Sequence, residues 1–186
     1  MISMGSLFSR QAAPLLGIDI SSSSVKLVEL GKDKAGGLVL ERCAIEPLER
    51  GWITDGNIEK FDEVAEAVRR VVKKSGTRTK NVALALPSSA VITKRITLPG
   101  GMTEQELEVQ VESEANQYIP FSLDEVSLDF CVIGPSKTSP GDIDVLIAAS
   151  RREKVQDRQG LAEAAGLKPI VVDIESNASR LAAGRL

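Results

Sequence analysis

Asp19 and the run Ser21-Ser22-Ser23-Ser24 place one carboxylate beside four hydroxyls in a short stretch of chain. An apolar run leads into Asp19, and Val25 to Leu30 follows the serines, so the pattern predicts strand, polar turn, strand. A chain reversal there presents backbone N–H groups and serine hydroxyls next to a carboxylate, a set that can hold phosphate oxygens and a hydrated cation. Serine also favours turns in its own right, and an ordinary hairpin is the commoner meaning of such residues. A second carboxylate, Glu175, closes the apolar run Ile170 to Ile174 just ahead of a helical stretch. Strand ends carry ligands in open α/β sheets, which places Glu175 for an active site. Neither a P-loop nor a Rossmann glycine fingerprint occurs, so the serine hairpin is the one phosphate candidate.

Composition narrows the chemistry further. The 186 residues contain no histidine, which removes Ser-His and Cys-His catalysis and leaves oxygen ligands for any metal. A formal charge of -3 gives no basic face for nucleic acid. Cys43 and Cys131 lie far apart, each inside an apolar run and without Cys-x-x-Cys spacing, and are expected to be reduced core residues. No stretch approaches the roughly 20 apolar residues of a membrane span, and the start lacks a signal-peptide core, so a cytoplasmic setting is expected. Residues 1–14 are expected to be a flexible N-terminal segment; Leu7, Phe8 and Arg10 in it allow weak membrane contact, and a frayed terminus is the commoner meaning of such residues.

These residues need elements to position them. After the hairpin, Leu38 to Ile45 supplies a third strand of a meander, and Asp55-Gly56 breaks the chain. Asn57 is the expected N-cap of a helix with apolar Ile58, Phe61, Val64, Ala65, Val68, Val71 and Val72, ended by Gly76. Val82 to Leu86 reads as a strand buried on both faces and closed by Pro87. From Ser88 the texture changes to alternating strands covered on one side. Between them lies a helix that Thr103 and Glu106 open as a capping box. Strands over 126–132 and 143–149, then a helix from about Arg151 to Ala165, complete a compact α+β unit over residues 88–167. The chain returns through Ile170 to Ile174 and runs on in helical texture to Leu186 without a stop signal, as part of a larger protein would.

Two further features call for weighing. From Thr97 to Pro135 there is no lysine or arginine but a run of acids, in which Glu108 and Glu112 share a helix face and repel each other. A solvated face and a docking surface for a basic partner both account for them. Tyr118-Ile119-Pro120-Phe121, where that helix stops, either plugs the core or lines a groove between the two units for an apolar peptide.

Taken together, Leu16 to Lys26, Gly51 to Gly56, Ala83 to Pro87 and Tyr118 to Val126 resemble the PilM family of type IV pilus assembly, which is actin-like and related to FtsA. The resemblance covers nearly the whole chain from Leu16. It implies an actin-like (ribonuclease-H-type) α/β domain over 15–87 plus 168–186, an inserted small α+β subdomain over 88–167, and a second large domain that these residues do not include. It also implies ATP with magnesium: Asp19, Ser21, Ser22, Ser23, Ser24 and Lys26 contact the phosphates, Asp19 reaches magnesium through water, and Glu175 orients the attacking water. The partner it implies is the N-terminal cytoplasmic peptide of the inner-membrane protein PilN, with other pilus assembly components, at the cytoplasmic side of the inner membrane. Tyr118, Ile119, Phe121, Glu108 and Glu112 are the candidates for that peptide groove. Ser21 stands where many actin-like relatives have glycine, which makes close phosphate approach harder there. With half a nucleotide cleft, these residues alone are expected to bind ATP weakly and to turn it over hardly at all.

Overall fold

The computed structural model describes residues 14–184. The expected flexible segment 1–14, with Leu7, Phe8 and Arg10, lies outside the described residues apart from Pro14.

The serine hairpin forms as its pattern requires. β1 (Leu16–Ile20) and β2 (Ser24–Lys32) pair antiparallel, with Asp19 opposite Lys26 and Ile20 opposite Val25. β3 (Leu38–Pro47) adds to β2 with a bulge after Glu29. Asp55 (φ 50°) and Gly56 (φ 81°) then take left-handed conformations, the geometry of a two-residue hairpin turn. They pair β4 (Ile53–Thr54) with β5 (Asn57–Ile58). Asn57 is therefore a strand residue rather than the expected cap. Helix α1 (Phe61–Ser75) begins later, after Lys60, and ends at Gly76 in the left-handed conformation that a C-cap glycine provides.

β6 (Asn81–Leu86) runs parallel to β1. After a short 3-10 turn come β7 (Val91–Pro99), α2 (Glu104–Tyr118), β8 (Val126–Pro135), β9 (Asp142–Arg151), α3 (Arg152–Ala164), β10 (Lys168–Ile174) and α4 (Glu175–Ala183). Thr103 and Glu106 make the reciprocal capping box that the sequence announced. The strands form a five-stranded sheet in the order β10-β6-β1-β2-β3 and a three-stranded sheet in the order β7-β9-β8.

Two separate apolar cores follow. Leu16, Ile18, Val25 and Leu27 of the large sheet pack with Val64, Val68 and Val71 of α1 and with Leu161 and Ala162 of α3. Ile96, Leu98, Val145 and Ile147 of the small sheet pack under Leu107, Val111 and Ala115 of α2. The helix that the sequence reading grouped with the insert thus shares the first core. Its apolar residues Leu161 and Ala162 are fully buried there.

The opposite face of the large sheet is exposed. It carries Val28, Cys43, Ile45 and Val171. This corrects the expectation of core cysteines: Cys43 is exposed on that face, and Cys131 is exposed on the small sheet's face turned away from α2. An apolar run around a cysteine marks a strand, but alternation decides which face the thiol joins. β6 likewise is buried on one face only, with Ala83 and Ala85 half-buried on the other. No described helix is long and apolar enough to cross a membrane.

Candidate functional site

β1, β6 and β10 are parallel neighbours, so Asp19, Pro87 and Glu175 gather at one end of the large sheet, where the strands finish. Asp19 Oδ2 accepts from Lys26 Nζ at 2.7 Å, a cross-strand ion pair whose two members are half-exposed. Ser21 closes the turn, donating its N–H (3.0 Å) and its hydroxyl (3.1 Å) to the Ser24 carbonyl. The Ser23 carbonyl accepts from Leu48 N–H at 2.8 Å, which fixes the hairpin against the end of β3. Ser22 and Ser23 are exposed, so their hydroxyls and Lys26 are the donors the turn presents outward. Glu175 is the first residue of α4, directly after Ile174.

Sequence reasoning assigned no role to Arg158, which belongs to the same neighbourhood. It is 2% exposed, donates through Nη2 to the Gly56 carbonyl at a long 3.4 Å, and its Nη1 finds no partner among the described residues. Burial pushes the guanidinium pKa down, and the nearby carboxylates Glu175, Asp157 and Asp19 oppose that shift. A buried donor without an acceptor costs about 1–3 kcal/mol, and such a group calls for an explanation. The signal was present in the spacing: Val155, Arg158, Leu161 and Ala162 recur on one face of α3, so a charge was bound to be buried among apolar neighbours.

A polyphosphate with its hydrated cation fits this donor set. Lys26 and the serine turn supply donors, Asp19 supplies a carboxylate for a water-bridged cation, and Arg158 holds an unspent donor in the same field. Among the described residues no group of three carboxylate or thiol side chains converges as a direct metal centre. Magnesium would therefore arrive with the phosphates rather than in a protein cage.

Two cavities separate the cores. One of about 600 Å³ lies between the small sheet and the end of the large one, lined by Thr93, Ser127 to Cys131, Val155, Val172 to Ile174, Asn177 and Arg180 among others. Asn177 Nδ2 bridges both Asp173 oxygens, at 3.0 and 3.1 Å, and Arg180 donates to Asn177 Oδ1 at 3.0 Å. The other, about 360 Å³, joins Asp55 and Asn57 to Ile119, Phe121, Arg151 and Lys154. The Arg151 guanidinium carbon sits 4.9 Å from the Phe121 ring centroid.

The five groove candidates divide. Ile119 and Phe121 line the smaller cavity. Tyr118 lies beneath Lys94, whose Nζ is 4.5 Å from its ring centroid, and it borders neither cavity. Glu108 and Glu112 are on the exposed side of α2, away from both. Asp129, Asp173 and Arg180, which do line the larger cavity, were not among the groove candidates, because each looks like an ordinary strand or helix charge until the chain is folded.

Known proteins place this architecture. The family described as type IV pilus assembly protein PilM matches residues 17–186. A chain of the PilM-PilN type IV pilus biogenesis complex is 32% identical, with a TM-score of 0.79, over 91% of this chain and 49% of that one. This chain therefore spans about half the length of that relative. The cytoplasmic domain of EpsL, an inner-membrane component of the type II secretion system of Vibrio cholerae, shares the fold at 13% identity and a TM-score of 0.53, over 87% of this chain and 57% of that one.

Proposed function

This chain belongs to the family of the type IV pilus assembly protein PilM, and from that premise we propose that it is an actin-like adaptor that receives the N-terminal cytoplasmic segment of PilN. In this reading the strand-end site holds ATP and magnesium in the entire gene product, and the adaptor works at the cytoplasmic side of the inner membrane through its partners. The observation that carries the proposal is the 32% identity to a chain of a PilM-PilN complex, extending over 91% of the residues here. The cavities between the two cores support it, since they offer apolar walls with a few polar groups to an extended segment.

The docking test is calorimetric titration of this 186-residue chain with a synthetic peptide of the PilN N-terminus. Saturable heat supports the adaptor; no heat and no NMR shift at millimolar peptide refutes it.

Nucleotide is tested separately on the entire gene product. Lys26 and the exposed serines would hold the phosphates, Asp19 the hydrated magnesium, and Glu175 would orient water if ATP is hydrolysed. Asp19→Ala is expected to weaken Mg-ATP binding, and Glu175→Ala to lower turnover with binding retained. Unchanged affinity and turnover in both would remove these assignments.

A further inference from the structure

The net charge of -3 hides an uneven distribution. Arg69, Arg70, Lys73, Lys74, Arg78 and Lys80 follow one another with no carboxylate between them. α1 and the loop after it carry them to the end of the large sheet where β1, β6 and β10 begin. Lys168, the first residue of β10, lies opposite Asn81 at that end and donates its N–H to the Lys80 carbonyl at 2.8 Å. The folded chain therefore has a basic face, which the whole-chain charge did not disclose.

The hairpin of β2 and β3 reaches the same end and runs past it. β1 starts at Leu16, opposite Glu29, so the paired residues Leu30 with Leu40, Gly31 with Val39 and Lys32 with Leu38 extend beyond the last β1 partner. Directly opposed residues share a sheet face. Leu30, Leu38 and Leu40 thus lie on one face with Lys32, and Val39 on the other; all four apolar side chains are exposed. The base of this projection is fixed by the buried Glu29, which accepts from the hydroxyls of Thr77 and Thr79 and pairs with Arg42 Nε at 3.3 Å, tying the basic loop after α1 to the hairpin. The tip closes on itself: Asp33 N–H donates to the Gly37 carbonyl at 2.9 Å, and Asp33 Oδ1 accepts from the Ala35 and Gly37 N–H groups, each at 2.8 Å. Glu29 and Asp33 are so engaged, and Glu41 is the remaining acid of the projection. Against it stand Lys32, Lys34, Lys73, Arg78, Lys80 and Lys168, which make no ion pair among the described residues.

We propose that this end of the large sheet rests on the surface of an anionic lipid bilayer, with Leu38, Val39 and Leu40 at the boundary of the acyl chains and the surrounding lysines and Arg78 among the headgroup phosphates. The shape of the patch selects that occupant. A further layer of protein packed on one face of the sheet would cover Leu30, Leu38 and Leu40 and leave Val39 in water, whereas a bilayer met end-on by the hairpin covers both faces. Nucleic acid would engage the cations and leave the aliphatic tip bare. The chain ahead of Pro14 joins the sheet at this end too, and its sequence brings Leu7, Phe8 and Arg10 with no carboxylate. Asp19 and Glu175, where the strands finish, lie at the far end of the sheet from the bilayer. The inference does not draw on the reading that this chain receives PilN, and its test contains no peptide.

The entire gene product is sedimented with vesicles of phosphatidylcholine, alone or with about one-third phosphatidylglycerol, at about 0.1 M salt. Binding is expected on the anionic vesicles only and should fall as salt rises. Lys32→Ala with Lys34→Ala should weaken it about 25-fold, at about fivefold per cation, and Leu38→Ser with Leu40→Ser about tenfold or more. Lys137→Ala, the same charge change in the loop between β8 and β9, should weaken it less than about twofold. Leu40→Trp should show a blue-shifted emission on the anionic vesicles. Absence of binding, equal binding to neutral vesicles, wild-type affinity in the Lys32 and Lys34 double variant, or tighter binding to a DNA duplex than to the anionic vesicles overturns the proposal. Pelleting without vesicles overturns it as well, since a second copy would then be the occupant.

Discussion

Replacing Arg158 by methionine should leave the chain as stable as before or make it more stable, although Arg158 is among its most buried residues. Its Nη1 lacks an acceptor among the described residues, a penalty of about 1–3 kcal/mol that an apolar side chain of similar length removes. The substitution also loses the hydrogen bond to the Gly56 carbonyl, which at 3.4 Å is at the far limit of such bonds and is worth less than about 1 kcal/mol. Attraction to Glu175, Asp157 and Asp19 is lost as well, but Arg158 makes no ion pair with any of them, and a buried unpaired charge gives up much of that attraction to desolvation. The balance is a change between zero and about 2 kcal/mol in favour of Arg158→Met, or up to roughly 4–8 °C in Tm for a chain of this size. Urea denaturation of wild type and variant, with equal m-values, measures it. A loss of more than about 2 kcal/mol would refute the reasoning, because it would mean that the guanidinium is well paired in the folded protein. If the cation is retained at a cost to stability because the strand-end site needs it, the same substitution weakens Mg-ATP binding by the entire gene product while the fold gains.

Three further outcomes follow from the geometry. Gly56→Ala should destabilise by about 1–3 kcal/mol in thermal melts, because Gly56 has φ 81° and a Cβ there would stand 2.7 Å from the Pro87 ring. Thr103→Ala removes the side chain that accepts from Glu106 N–H at 3.3 Å and should cost about 0.5–2 kcal/mol by urea denaturation, with little change in affinity for the PilN peptide. The Arg95 guanidinium, bonded to the buried Asp144 carboxylate, lowers its pKa from the usual aspartate value, helped by Thr97 and opposed by burial. A depressed pKa contributes stability above the unfolded value that is lost as pH falls through the folded one, so acid titration of stability should drop below about pH 4, and Asp144→Asn should flatten that limb.

What could be read in advance depended on whether the physical cause was local. The serine hairpin, the Thr103-Glu106 cap and the Gly76 stop are set by neighbouring residues, and each forms at its expected place. Asp55-Gly56 was also a local signal, the sequence of a tight hairpin, but the apolar period of α1 overlapped it and drew the helix start forward to Asn57. The cysteine error has a different origin. Strand periodicity fixes alternation but not which side is covered, and Cys43 falls on the sheet face that no described helix shields. Arg158 was visible as a break in an apolar face. The larger cavity was not, because it is built from Asp129 and Asp173, separated by β9 and α3 in sequence and brought together by packing alone.

α3 and β10 place the two proposed sites close enough to influence each other. α3 lends Val155 to the larger cavity and buries Arg158 one turn further on, beside the end of β1. β10 lends Asp173 to the same cavity and hands the chain to Glu175 two residues later, where α4 begins. Asn177 of α4 is bonded back to Asp173, which also accepts from the Ile174 N–H, so a peptide that displaces Asp173 also disturbs the first turn of the helix that carries Glu175. Occupancy of the cavity and of the strand-end site should therefore be linked in the entire gene product. Linkage requires that Mg-ATP change the affinity for the PilN peptide by the same factor by which the peptide changes the affinity for Mg-ATP. Asp173→Asn, which keeps the shape of the side chain and weakens its hold on Asn177, should reduce that factor; equal affinities with and without the second ligand in the wild-type protein would show that the junction transmits nothing.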